Sequence, residues 1–188
     1  NTSDLAQQSY VSNFSGEEFF VRDHQVKLTG TSGQKILPAV AYLEMIRAAL
    51  AQAIPGLSDA EVIELSNTAW IRPLVVNDST QVHLALSANE NGTIDYQVYS
   101  EQAGEKQLHC QGQGQVSSRE HLNRDLGQLK AAMARGSAGA DELYQAFSNI
   151  GIAYGPAFKG VKQLYLGDGQ LLAELDLTDK TGADLAQY

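Results

Sequence analysis

Residues 38–54 constrain the fold more than any other segment, because they are predicted to form a helix that is apolar on most of its faces. Pro38 suits the first helical turn, where its missing N–H is no loss, and Pro55-Gly56 ends the helix. Alanines occupy much of the remaining surface, so most of the helix must be buried by other elements. The apolar stripe recurs at helical spacing and consists of Val40, Leu43, Ile46, Leu50 and Ile54.

Strand patterns follow this helix. Extended segments are predicted over 62–76, 82–86 and 94–98, with a weaker one over 107–116. The second and third alternate apolar and polar residues, and Asn91-Gly92 between them is a strong hairpin signal. One long helix followed by antiparallel strands favours an α+β fold. A curved sheet enclosing such a helix is the hotdog arrangement.

The flanking regions differ in composition. Residues 1–16 are polar and are predicted to be a leading segment, and an apolar strand is predicted from Phe19 to Val26. Residues 118–140 are rich in Ser, Arg, Gly and Ala and are predicted to be a linker, partly helical around 126–133.

A second unit is predicted to begin after this linker. A short helix is predicted over 141–150, followed by strands over 158–166 and 171–177. We therefore expect a first unit over 1–117, for which the hotdog arrangement is suitable, a linker over 118–140 and the start of an incomplete second unit over 141–188.

Charge and cysteine content exclude several classes of protein. The 188 residues contain 13 Lys and Arg against 22 Asp and Glu, a formal net charge of -9, which disfavours general binding to nucleic acid. The single cysteine, Cys110, rules out a disulfide within the chain. No apolar run is long enough to span a bilayer, and the first nine residues show no secretory signal. A cytoplasmic protein that binds neither membrane nor nucleic acid is expected.

His24 is the histidine most suited to chemistry. The four histidines have no recognisable metal-ligand spacing, and neither a GxxxxGK nor a GxSxG motif occurs, so no metal site is expected. His24 lies upstream of a turn and of the helix start at Pro38. A helix start presents unpaired N–H groups, so an imidazole nearby can take a proton while those groups hold the developing anion. The alternative is a histidine that caps a turn or lines a core.

Three segments resemble the dehydratase domain of polyketide synthases. Residues 23–26 (DHQV) and 33–45 (GQKILPAVAYLEM) are similar to its N-terminal part, in which His, three residues, Gly, four residues and Pro follow one another. Residues 151–160 (GIAYGPAFKG) resemble the segment that opens its second hotdog, and 70–76 (WIRPLVV) the strand after its central helix. The matches are collinear. The sequence of residues 37–45 is most similar to that found in bacterial modular synthases whose acyltransferase is a separate protein.

This resemblance implies a double hotdog that removes water from a β-hydroxyacyl thioester held on an acyl carrier protein. His24 is implied to take the α-proton, and Tyr154 either hydrogen-bonds the substrate or packs as a plain aromatic. No cofactor is implied besides the carrier's phosphopantetheine arm, and the implied partners are the carrier protein, neighbouring synthase domains and a second copy of the chain. The implied substrate-binding residues are Gly33, Leu37, Pro38, Tyr154, Gly155, Pro156 and Phe158.

The sequence departs from the family pattern in three places. Residues 28–32 (LTGTS) lengthen the spacing from His24 to Pro38 and are predicted to be an insertion at a turn, and Ile152 replaces a family tyrosine. The family's second catalytic residue, a carboxylate, is expected beyond Tyr188. Two alternatives therefore stay open: a related domain that shifts a double bond or closes a cyclic ether, and a catalytically silent module with a structural or docking role.

Overall fold

The computed structural model describes residues 7–27, 33–58, 61–118 and 123–176. These residues form four α-helices, eleven strands and one 3-10 turn, which confirms the predicted α+β class. In chain order the elements are β1 (Gln8–Phe14), α1 (Phe19–Arg22), β2 (His24–Val26), β3 (Gln34–Lys35), α2 (Ala39–Ala53), β4 (Val62–Trp70), β5 (Thr80–Ala88), β6 (Ile94–Gln102), β7 (Glu105–Ser117), α3 (Leu126–Ala131), β8 (Gly136–Gly139), α4 (Ala140–Asn149), β9 (Ile152–Tyr154), the 3-10 turn (Pro156–Phe158), β10 (Val161–Leu166) and β11 (Leu171–Leu175).

The chain divides into two compact units. Unit 1 comprises Asn1–Glu18 and Ile36–Glu120, and unit 2 comprises Phe19–Lys35 and His121–Tyr188. Residues 19–35 belong to unit 2 because strand β2 pairs with β9. The expected division into a first hotdog over 1–117, a linker over 118–140 and a second hotdog from 141 stays a prediction.

Unit 1 is an antiparallel sheet with helix α2 packed against it. The strand order is β1-β5-β6-β7-β4, and the predicted hairpin joins β5 to β6 with Gly92 at a φ of 83°. Helix α2 buries Tyr42, Ile46, Ala49 and Leu50. A Cβ at Gly114 of β7 would lie 2.5 Å from Cδ1 of Leu50, so this glycine lets the helix approach the sheet closely.

Several elements of unit 1 differ from the predictions. Helix α2 has the predicted bounds within one residue, but Val40 at its start is 60% exposed. The predicted leading segment contains strand β1, which pairs only with β5 at the edge of the sheet. Edge strands tolerate polar residues, so β1 carries little periodic signal. Strand β4 ends at Trp70 because the chain then turns through Pro73.

Unit 2 contains two small antiparallel sheets, ordered β11-β10-β8 and β3-β2-β9. Helix α4 and strands β10 and β11 confirm the elements predicted after residue 140, although Pro156–Phe158 forms a 3-10 turn and β10 begins only at Val161. The predicted strand from Phe19 to Val26 is wrong in its first half. Phe19–Arg22 forms one helical turn, closed by the bond from Asp23 N to Phe19 O at 2.9 Å.

The predicted linker contains regular structure. Asp125 caps helix α3 by accepting from the Gln128 N–H at 3.1 Å, and strand β8 pairs with β10. The four residues of β8 are Gly, Ser, Ala and Gly, which have no apolar alternation by which a strand is recognised. Among the described residues, no helix is both long and apolar enough to cross a bilayer.

The core of unit 1 predicts unequal effects of two truncations on helix α2. Leu50 is fully buried and Val40 is 60% exposed, so Leu50→Ala should lower the free energy of unfolding by about 2–5 kcal/mol. Val40→Ala should change it by less than about 0.5 kcal/mol. The urea dependence of the fluorescence of Trp70, the single tryptophan, measures both. Equal losses would contradict the packing described for α2.

Candidate functional site

His24 lies at the start of strand β2, which is the central strand of its sheet. His24 is opposite Tyr154 of β9 in the strand register, and Val26 is opposite both Ile152 of β9 and Gln34 of β3. The predicted insertion at 28–32 lies outside the described residues, but the strands on either side of it are paired. The pairing with β9 therefore places His24 beside the second family motif.

Two aromatic rings form a wall beside the His24 imidazole. Its ring centroid lies 5.7 Å from that of Tyr154 and 5.6 Å from that of Phe158. Tyr154 and Phe158 stack on each other at 5.6 Å with an interplanar angle of 14°. All three side chains are half-buried. The imidazole thus has an apolar surface on one side and limited exposure to water.

Helix α4 supports this wall through two residues that the sequence analysis did not single out. Phe147 meets Tyr154 edge-on with ring centroids 5.2 Å apart, and Tyr144 does so at 6.4 Å. The Tyr144 hydroxyl donates to the carbonyl of Phe158 at 3.2 Å and accepts from the N–H of Val161 at 2.9 Å. Tyr144 and Phe147 are three residues apart, so they lie on the same face of the predicted helix. This spacing is the sequence signal that could have identified the pair.

Asp23 is a further residue whose role was not predicted. It is 7% exposed, and its Oδ2 accepts from the Ala157 N–H at 2.9 Å. Its backbone carbonyl accepts from the Gly155 N–H at 2.8 Å. Its Oδ1 accepts from Nε of Arg22 at 3.2 Å. Asp23, which directly precedes His24, is therefore bonded to the segment that follows Tyr154.

Glycines allow the backbone segments of this site to approach each other. A Cβ at Gly155 would lie 2.7 Å from both Cβ and Oδ1 of Asp23. Gly151 adopts a φ of 88°, and its carbonyl accepts from the Lys27 N–H at 2.7 Å. A Cβ at Gly33 would lie 2.9 Å from the Gln25 side-chain oxygen. The contact at Gly155 and the positive φ of Gly151 explain why glycine occupies these two points, whereas the end of the Gln25 side chain could move to admit a Cβ at Gly33.

The predicted site residues fall into both units. Unit 2 contains His24, Gly33 and the motif residues Tyr154, Gly155, Pro156 and Phe158. Leu37 and Pro38 are buried in unit 1. The Leu37 N–H donates to the carbonyl of Leu74 at 3.0 Å, so it is already used within unit 1. Pro38 precedes the first residue of α2 in an extended conformation.

Unit 1 contains a cleft of about 450 Å³ beside a different histidine. His109 is 3% exposed. Its Nε2 lies 2.8 Å from Oγ of Ser100, and its Nδ1 lies 3.1 Å from the carbonyl of Arg72. Burial lowers the pKa of His109 below its usual value. Because both ring nitrogens have protein partners, His109 has the properties of a structural histidine.

The remaining buried titratable groups of unit 1 are chemically quiet. Burial raises the pKa of the Cys110 thiol to about 11, so the thiol stays protonated and is a poor nucleophile. Burial also raises the pKa of Tyr42. Among the described residues, no group of three or more His, Cys, Asp or Glu side chains is arranged to hold a metal ion.

Comparison with protein families identifies the chain. Residues 1–101 match the model of the polyketide synthase dehydratase domain, and residues 121–188 match that of the polyketide synthase dehydratase N-terminal domain. The chain belongs to the polyketide synthase dehydratase family. Polyketide synthase PksN of Bacillus subtilis is 39% identical over 193 residues, covering 100% of this chain and 3% of PksN.

Solved dehydratase structures confirm the hotdog fold. A trans-AT synthase dehydratase domain from Brevibacillus brevis is 39% identical with a TM-score of 0.87, and the match covers 97% of this chain and 64% of that one. The Brevibacillus domain belongs to a trans-AT synthase, the type to which residues 37–45 of this chain are similar. An inactive variant of the CurK dehydratase from curacin synthase, with Phe in place of a histidine, is 25% identical with a TM-score of 0.82, covering 100% of this chain and 66% of that one.

This dehydratase chain is short relative to the proteins that it matches. It spans 3% of the length of PksN and 4% of that of PksM, its counterpart in the same organism. It spans 64% of the Brevibacillus domain. The comparisons therefore assign this chain to the family, but they do not show that it has the activity, substrates or partners of the larger assemblies.

The close approach of Gly155 to Asp23 predicts a strong local effect of a single methyl group. Gly155→Ala should push the segment away from strand β2 and cost about 1–3 kcal/mol, with faster amide exchange over residues 152–158. Gly127→Ala in helix α3 is the control. A Cβ there would lie 3.2 Å from Oδ1 of the capping Asp125, so any effect should be confined to the start of α3, and exchange over residues 152–158 should stay unchanged. Hydrogen–deuterium exchange measures both. Unchanged exchange in Gly155→Ala would contradict the observed packing.

The lowered pKa of His109 predicts a loss of stability in acid. As the pH falls below about 6.5, the ordinary value, the unfolded chain takes a proton that the folded chain does not, so folding becomes less favourable. The urea midpoint of unit 1, followed by Trp70 fluorescence, should fall more between pH 7.5 and pH 5.5 in the wild type than in His109→Gln. Identical falls would show that His109 is not responsible.

Proposed function

We propose that this dehydratase domain eliminates water from a β-hydroxyacyl thioester carried on an acyl carrier protein, with His24 as the general base. The observation that supports the proposal most directly is the position of the His24 imidazole, half-buried beside the rings of Tyr154 and Phe158. Membership of the dehydratase family supports the reaction class. The inactive CurK variant supports a requirement for a histidine, since a His-to-Phe change defines it.

The proposed reaction needs one base, one acid and a clamp for the thioester carbonyl. The α-hydrogen of a thioester is weakly acidic, so His24 takes this proton as the Cα–H electron pair forms the new double bond. The Cβ–O bond breaks as that double bond forms, and the hydroxyl takes a proton from the acid and leaves as water. A positioned base contributes typically about 10²–10⁴-fold to such a step.

The aromatic wall suits the base role of His24. The rings of Tyr154 and Phe158 cover one side of the imidazole, so an acyl chain bound along them is shielded from water. Their carbon surface matches the apolar part of the substrate. The family resemblance implies that the Tyr154 hydroxyl could hydrogen-bond the substrate. The alternative is that Tyr154 contributes only the packing of its ring.

The proposed reaction is redox-neutral and needs no electron carrier, and we propose that a base and an acid from the protein carry it out without a dissociable cofactor. The substrate arrives on the phosphopantetheine arm of the carrier protein, and the product leaves on the same arm. The curated relatives are large synthases, which supports neighbouring synthase domains as partners. We extend the proposal to a homodimer working in the cytoplasm.

Replacing His24 should abolish dehydration and leave the fold intact. His24→Ala and His24→Gln should lower kcat for release of water from a carrier-bound 3-hydroxyacyl substrate by about 10²–10⁴-fold, measured by mass spectrometry of the carrier. His83→Ala is the matched control, because His83 lies in unit 1 and stacks on Tyr99 at 5.0 Å. Its rate should match that of the wild type.

The same assay distinguishes the alternatives. Unchanged turnover in both His24 variants would remove His24 from the mechanism. When the wild-type chain is given the matching enoyl thioester instead, an isomer of unchanged mass with a shifted double bond, or with an ether ring closed by a hydroxyl of the same acyl chain, would favour the related chemistry. If the chain binds the substrate and does not change it, the result would favour the alternative of a catalytically silent module with a structural or docking role.

A further inference from the structure

We infer that Asp23 is a positioning residue, which holds residues 155–158 against strand β2 and thereby sets the aromatic wall beside His24. The inference rests on the proposed function to the extent that His24 is taken as the base. It concerns a side chain with no role assigned by the motif, which is nearly buried and directly precedes His24.

Asp23 is connected to residues 155–158 at two points. Its backbone carbonyl accepts from the Gly155 N–H at 2.8 Å, and its carboxylate accepts from the Ala157 N–H at 2.9 Å. Pro156 lies between these donors and has no N–H of its own. The two available N–H groups of this stretch thus both bond to one residue that lies 134 positions from Ala157 in the sequence.

The carboxylate acts as a cap for the 3-10 turn at Pro156–Phe158. In that turn the N–H of Phe158 donates to Gly155 O at 3.1 Å and that of Lys159 to Pro156 O at 3.1 Å. The Ala157 N–H precedes these bonds and needs an acceptor from outside the turn. An aspartate commonly supplies such an acceptor from the preceding residues; here Asp23 supplies it from another strand.

The close packing at Gly155 shows how tightly this contact is built. A Cβ there would lie 2.7 Å from Cβ and Oδ1 of Asp23, which leaves no room for any other residue without a shift. The Arg22 guanidinium contacts the same carboxylate at 3.2 Å, but its side chain is 50% exposed. The bond from Arg22 joins neighbouring residues of the chain and does not reach residues 155–158, so the bond to Ala157 is the one that holds this segment.

Asp23 acts on the reaction through other residues. Both carboxylate oxygens already accept hydrogen bonds from the protein, so the group is not placed as a proton donor to substrate. Without the carboxylate, the Ala157 N–H loses its acceptor, while the backbone bond to Gly155 and the Tyr144 bond to the Phe158 carbonyl persist. The ring that lies 5.6 Å from the imidazole is then held less firmly. Small misplacements of this kind cost up to about 10²-fold in rate.

The test uses the full synthase chain with four variants. Asp23→Ala should lower kcat about 10–100-fold with KM changed less than about threefold. It should also speed amide exchange at Ala157, with the β5–β6 hairpin unaffected. Asp23→Asn retains an amide oxygen that can accept from Ala157, so it should recover most of both kcat and protection. Arg22→Gln and Asp168→Asn should stay within about twofold of the wild-type kcat, since the Asp168 carboxylate is 87% exposed.

Each contrary result overturns a defined part of the inference. Wild-type exchange at Ala157 in Asp23→Ala would show that the carboxylate does not hold the segment. Faster exchange with wild-type kcat would show that holding it does not matter for the reaction. If Asp23→Ala loses protection globally, Asp23→Asn decides: normal exchange with a kcat lowered about 10-fold or more would overturn the positioning role.

The proposed function fails separately from this inference. It fails if the wild-type chain releases no water, or if His24→Ala is fully active. The exchange at Ala157 still decides in either case whether Asp23 holds the segment.

Discussion

The antiparallel pairing of strands β2 and β9 is the interaction on which the candidate site depends. It places His24 opposite Tyr154, and these two residues come from motifs at opposite ends of the chain. The neighbouring strand β3 pairs with the other edge of β2, so both sides of this three-residue strand are used. A slip by one residue would turn His24 to the other face, and the aromatic rings would lose their contact with the imidazole.

Close approach of backbone to side chain recurs in both units, and glycine allows it in each case. In unit 1, Gly114 admits Leu50 of helix α2, which brings the helix onto the sheet. In unit 2, Gly155 admits Asp23. The physical cause is the same, since a Cβ would occupy space already taken by a buried side chain. The consequences differ, because the first contact builds a core and the second arranges the surroundings of His24.

His24 and His109 show how the environment of a histidine separates a structural role from a chemical one. His109 is almost fully buried, has protein partners at both ring nitrogens and has a lowered pKa. His24 is half-buried and borders two aromatic rings. Within the proposed mechanism, His24 handles the proton. Asp23 and Tyr144 hold the segment of which Phe158 is part, by bonds to its backbone.

Local sequence determined helix α2, the β5–β6 hairpin, the α+β class and the family, because apolar periodicity, Asn91-Gly92 and collinear motifs are properties of neighbouring residues. It named His24, Tyr154, Gly155 and Phe158, but gave no role to Asp23 or Tyr144. It also missed strand β1, in which Tyr10, Val11 and Phe14 do not alternate regularly with polar residues, and strand β8, whose residues are Gly, Ser and Ala. Only the tertiary structure decided these two strands and the roles of Asp23 and Tyr144. The hydrogen bond from Ala157 to Asp23, for example, joins residues 134 positions apart. Apolar periodicity indicates whether a residue is buried, but it does not indicate which residue it contacts.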